Sequence, residues 1–225
     1  MKKKLILGSL FVIPVTFLFL MLSSKHYYTP LDVVKQNVPE LTDFHQEYDT
    51  ANVYLKDHIS VLMMFNEDPL KHIPEISNLN EKAYKWAKGF RDFQVIFVVP
   101  KKYEPSEEAI RSKIGEYVDL KYWRFVFADE QTVNTYFQKF KGSINSSTMA
   151  MNNHFYIIDK EMNLRGRLDD EDEGKLYGYN AENLAELQKK VTEDLRILFQ
   201  EYRDKRNGKF DSDQRRLKEL SGDEG

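Results

Sequence analysis

The chain has 225 residues, 33 basic and 36 acidic side chains, 41% apolar residues and no cysteine, which suits one domain of ordinary size. Without cysteine there is no disulfide, thiolate nucleophile, Cys-ligated zinc or CxxC redox couple. Residues 1–25 hold four lysines and no acid, leaving 29 bases against 36 acids in the rest; such an anionic body with no basic stripe argues against nucleic acid as a partner.

Lys2, Lys3 and Lys4 precede an uncharged run of 18 residues, Leu5 to Leu22. As a helix, that run just crosses a hydrocarbon core of about 30 Å. Leu22-Ser23-Ser24 matches the small-x-small cleavage pattern poorly, so residues 1–25 read as an uncleaved anchor in the lipid bilayer. The lysines before the span leave the N-terminus in the cytoplasm and the body outside it. The chain thus reads as a single-pass inner-membrane protein with an extracytoplasmic, periplasmic domain.

Residues 26–57 are polar with scattered aromatics and carry no sustained period; they read as a stalk and irregular lead-in. The regular domain spans 58–203. Ile59 to Phe65 is a continuous apolar run suited to a strand buried on both faces. Asp68-Pro69 predicts an N-cap and first helical position, opening a helix to about Lys88 with Pro74 bending its first turns. Gln94 to Val99 and Trp123 to Ala128 are further strands, separated by a helix from Pro105 to about Tyr117. A helix from Glu130 to Phe140 and a polar loop, 141–153, precede two strands, His154 to Ile158 and Leu164 to Leu168, joined by a hairpin turn. Leu184, Leu187, Val191, Leu195, Leu198, Phe199 and Tyr202 give a helix from Ala181 to about Arg203. Residues 204–225 form a charged tail.

Strands joined through helices must be parallel, whereas the last two are close enough to be antiparallel. The expected architecture is α/β, a thioredoxin-like mixed sheet flanked by helices, with one N-terminal transmembrane helix.

Four ordered segments, Val61 to Pro74, Val98 to Ile110, Trp123 to Val133 and Phe155 to Asp170, give this chain a resemblance to the Sco/SenC family. They are similar, respectively, to its CPxxxCP helix start, its DP-x-x-D-T-P-E segment, its W-x-F-x-x-G-D run and its F-L-I-D-x-x-G-x-I-R-G-x-Y-D run. The resemblance implies a membrane-anchored thioredoxin fold associated with copper delivery to cytochrome c oxidase. It also implies that Asp68 and His72 occupy the two cysteine positions, while the family's histidine falls near Met151, with His154 three residues later. Redox activity and the standard copper site therefore do not carry over.

Three chemistries remain. Asp68 and His72 could share a helix face as an acid–base dyad, or Asp68 could simply cap the helix. Met149, Met151 and His154, with His72, offer thioether and imidazole donors suited to Cu(I); the plainer reading of the two methionines is packing. The acidic run Asp169 to Glu173 lacks EF-hand spacing and reads as a solvated turn, and Gly166 and Gly178 fit no phosphate-cradling loop. The expectation is a non-catalytic binding or assembly module without a cofactor, meeting a membrane or periplasmic protein partner. The alternative is a thiol-free Cu(I) carrier.

Overall fold

The computed structural model describes residues 10, 12–19, 28–46, 53–116 and 118–207. Eight strands make one mixed sheet. Its main path runs β1 (Asp32–Lys35), β6 (Leu164–Asp170), β5 (His154–Ile158), β2 (Ile59–Met64), β3 (Phe93–Pro100) and β4 (Trp123–Ala128), while β7 (Gly174–Leu176) pairs with β6 and β8 (Tyr179–Asn180) with β5. The pairs β2–β3 and β3–β4 are parallel, and β5 lies antiparallel to both β2 and β6. The expected helix-linked and hairpin-linked connections are therefore present.

All of β2 and β3 is buried, because successive side chains enter opposite core layers. Val61, Met63, Val95 and Phe97 face one layer; Leu62, Met64, Ile96 and Val98 face the other. The first layer is closed by three helical segments. Residues 69–87 form α1, an opening 3-10 turn followed by α and π turns; α2 is Ser106–Gly115; α4 covers 184–206 and also contains a π turn. Within the π turn of α1 the Lys82 carbonyl accepts from Thr192 Oγ1 in α4 at 3.2 Å. The second layer is closed by α3 (Glu130–Lys141), whose cap Asp129 accepts from Thr132 N at 2.9 Å.

Residues 28–46 correct the stalk reading. β1 pairs with β6, Leu31, Val38 and Leu41 are buried, and His45 bridges Phe127 on the edge of β4. A strand of four half-buried residues carries too weak a period to be seen in sequence. The short β7 and β8 were likewise hidden, and the acidic run begins inside β6 before turning into β7.

The expected span, 5–22, lies partly outside the described residues. Residues 12–19 are helical, with Val12, Ile13, Val15, Phe17, Leu18 and Phe19 exposed. Among the described residues no helix is long and apolar enough to cross a membrane. The tail beyond 207 lies outside the described residues as well.

The β5–β6 turn gives the Phe155 to Asp170 run a physical meaning. Asp159 Oδ1 accepts from Glu161 N at 3.1 Å and Asn163 N at 2.8 Å, and Met162 holds a left-handed φ of 64° where the family run has glycine. Gly166 is required by space, since a Cβ there would lie 2.1 Å from the Leu176 carbonyl of β7. Gly166→Ala must displace backbone and is expected to destabilise by about 1–3 kcal/mol. Gly89→Ala, with nothing within 4 Å, should change stability by less than about 0.5 kcal/mol. Urea denaturation of the two variants side by side checks both.

Candidate functional site

In an open α/β sheet, the carboxyl ends of the parallel strands are where chemistry gathers. Here that end of β2 leads through Asn66, Glu67 and Asp68 into α1, opposite the loop that precedes β5. Asp68 caps the helix as expected: Oδ1 accepts from Leu70 N at 3.0 Å. The same oxygen accepts from Ser106 Oγ at 2.9 Å, which ties the start of α2 to the start of α1.

His72 turns to two other carboxylates rather than to Asp68. Nε2 lies 3.2 Å from Glu67 Oε1, and the ring packs on Phe65 at 5.7 Å between centroids. Nδ1 stands 4.0 Å from Glu75 Oε2, and both atoms are buried without a hydrogen-bond partner among the described residues. Hydrogen bonds from Lys71 and His72 lower the pKa of Glu67. The Asp68 carboxylate and the His72 imidazole are thus engaged separately, and no acid–base dyad forms between them.

The facing loop is fastened to this corner by an amide pair that the sequence reading missed. Asn152 N donates to Met64 O at 2.7 Å and Asn152 Nδ2 to Asn66 Oδ1 at 2.7 Å, while Asn66 N donates to Asn152 Oδ1 at 3.0 Å. Asn152 holds φ 69°, a conformation asparagine tolerates better than most side chains. The adjacent Asn152-Asn153 was the available signal.

The four expected Cu(I) donors divide between the two faces of the sheet. Met149 is buried in the second core layer, with Met151 packed against that layer, whereas His72 rests on Phe65 of the first. His154 is buried at the start of β5, its Nδ1 2.9 Å from Asn153 Oδ1. Among the described residues no three His, Asp or Glu side chains are grouped to hold a metal ion. The hard carboxylate of Asp68, already accepting two hydrogen bonds, does not fit the soft-donor requirement of Cu(I).

His154 gives the corner a pH dependence. Burial lowers its pKa below the ordinary 6.5, with Glu182 and Glu173 offsetting part of the effect. The unfolded chain then takes up this proton before the folded one. The stability contributed by the neutral ring is present above pH 6.5 and lost as pH falls through the lower folded value. Urea midpoints measured across this range should decline with acid in the parent and more shallowly in His154→Gln.

No known family model matches the sequence, and no curated protein matches it either. Solved structures do. The chain is similar to BsSco, a member of the Sco family of cytochrome c oxidase assembly proteins in which a disulfide switch has been identified, at 13% identity and a TM-score of 0.54, over 76% of this chain and 98% of that one. It is similar to a SCO1/SenC family lipoprotein from Bacillus anthracis str. Ames at 14% identity and a TM-score of 0.51, over 76% of this chain and 99% of that one. At such identities the likeness is one of architecture: the chain has the thioredoxin-like fold of the Sco/SenC proteins, and it contains no cysteine.

Proposed function

We propose that this protein is a membrane-anchored, extracytoplasmic binding module of Sco type, non-catalytic and free of thiol chemistry, which serves the assembly of a respiratory or copper-containing membrane complex. The observation that carries the reading is the corner after β2. Asp68 is held by Leu70 N and Ser106 Oγ, and Asn66 is locked to Asn152. A rigid polar junction stands where the fold's reactive pair would be, with Asn66 and Lys71 exposed around it. Such a surface suits docking, since its groups are positioned in advance and lose little freedom on contact. The anchor is supported by Lys2 to Lys4 before the apolar run and by the exposed apolar face of residues 12–19. The assembly role rests on what BsSco is described as doing and is carried over by analogy of fold.

Photo-crosslinkers placed at Glu67 and Lys71, and at Lys139 on α3 as a control, test the reading in native membranes. It predicts that the first two join a subunit or assembly partner of a respiratory complex, that the control does not, and that loss of the protein lowers that complex's activity. Identical crosslinks at all three positions, or an undiminished complex without the protein, would overturn it.

A further inference from the structure

The end of the domain opposite the candidate site carries a charge that the sequence conceals. A cavity of about 820 Å³ lies where β2 and β3 begin and α4 ends, with Lys56, Arg91, Lys160, Arg203, Lys205 and Arg206 around it. Among the described residues, Asp57, Asp92 and Glu161 are the acids that line it, and Asp204 sits between Arg203 and Lys205 on the last turn of α4. Lys160 is bound to Asp92 at 2.6 Å and Lys205 lies 3.9 Å from Glu161. Lys56, Arg91, Arg203 and Arg206 form no ion pair among the described residues and are exposed. On a body of net charge −7, this pole is locally cationic. Its floor is aromatic: Phe90 stacks on Phe199 at 3.8 Å, and Tyr202 carries Lys160 and Lys205 over its ring.

The chain enters the domain at this same pole. Tyr28 Oη donates to Asp204 at 3.0 Å, and Leu31 N donates to Glu201 at 2.7 Å, both on the last turns of α4. Tyr28 lies six residue steps after Leu22, the end of the apolar run, and those steps reach at most about 20 Å. If the run spans the bilayer, covalent geometry alone keeps the pole close to the headgroup layer.

We infer that the cationic, aromatic pole formed by the end of α4 and the turns before β2 and β3 docks on anionic phospholipid headgroups at the membrane surface. Guanidinium and ammonium groups meet the lipid phosphates, while Tyr202 and Phe199 supply the amphipathic floor that suits this interface. Docking fixes the domain's orientation. The candidate site, at the other end of strands about 20 Å long, then faces away from the membrane toward an extracytoplasmic partner.

The inference rests on the anchored reading, and one experiment separates the two. The full chain, naturally free of cysteine, is given a single label through Asn207→Cys at the pole or Lys101→Cys at the far end of β3. Each is reconstituted into discs of phosphatidylcholine, with or without phosphatidylglycerol. The expected result is an environment-sensitive fluorophore at 207 that shifts to the blue and is quenched by lipid-borne quenchers in the anionic discs. The label at 101 shows neither change, and Arg91→Glu/Arg203→Glu/Arg206→Glu, shown to be folded by circular dichroism, abolishes the response at 207. Equal signals in both lipids, or a response that survives the triple variant, overturns the docking surface. A lipid-independent signal at 207 that is lost on deleting residues 208–225 overturns it too, by making the tail the occupant. Loss of the chain from both discs in alkaline carbonate overturns the anchor and the docking together.

Discussion

Replacing Arg165 with methionine is expected to lower the unfolding free energy by about 3–5 kcal/mol. The guanidinium is buried, with 4% of its side chain exposed, between Asp159 Oδ2 at 3.0 Å and Glu201 Oε2 at 2.7 Å. Burial works against its charge, but Glu201 and Asp159 more than offset this and leave its pKa raised. It also donates to the Leu31 carbonyl, whose amide donates to Glu201 in turn. Removing the cation strands two carboxylates in the core and releases the segment that leads into the domain. Equilibrium urea unfolding of the full chain in detergent, followed by circular dichroism, reads the effect. A loss below about 1 kcal/mol, the scale of a surface ion pair, would show that the cluster is not a buried clamp.

Asp194→Ala should cost a comparable amount, about 3–5 kcal/mol, by the same mechanism two turns earlier on α4. Asp194 accepts from Arg167 Nη2 at 2.7 Å and Nε at 3.0 Å, and from the buried Tyr179 hydroxyl at 2.7 Å. Alanine leaves that hydroxyl and most of a guanidinium without partners. Asp194→Asn keeps an acceptor for Tyr179 while removing the charge, so it should fall between the parent and Asp194→Ala. If asparagine and alanine proved equally damaging, the Tyr179 bond would contribute nothing. If both were harmless, the pairing itself would be in question. Arg165 and Arg167 project from one face of β6 onto Glu201 and Asp194, which are seven residues apart and therefore on one face of α4. The two clamps set the register of helix on sheet, and with it the position of the pole that α4 carries.

The parts of the fold legible in the sequence were those whose signal is local. Ile59 to Phe65 and Gln94 to Val99 are uninterrupted apolar runs, and Asp68-Pro69 is a cap with its own chemistry, so strand, turn and helix start could be placed without knowing their neighbours. β1 could not, because Asp32–Lys35 becomes a strand only by pairing with β6 across more than a hundred residues. LRGRL was legible as a strand but not as one buried and one half-buried cation, since Glu201 and Asp194, which pair with them, lie on a helix some thirty residues later. The candidate corner was legible through Asp68 and His72 alone. Asn66 and Asn152, in loops, and Ser106, at a helix start, hold it together and are ordinary residues until the fold brings them within 3.0 Å of their partners. Met149 and His72 suggested a shared site by residue type, but Met149 packs in the second core layer while His72 rests on Phe65 of the first. The cationic pole was least legible of all, because its six basic residues come from four separate segments of an acidic chain.

The central claim is that a Sco-type fold here works by contact rather than by thiol or copper chemistry, and anaerobic Cu(I) competition on the full chain tests it most directly. A chromophoric chelator competes for the metal, with Met149→Leu/Met151→Leu/His154→Gln as the control. The account predicts that the chelator keeps the copper at micromolar protein, identically for parent and variant. One equivalent of Cu(I) withheld by the parent and surrendered by the variant would contradict it and make this chain a carrier that replaces thiolates with thioether and imidazole ligands.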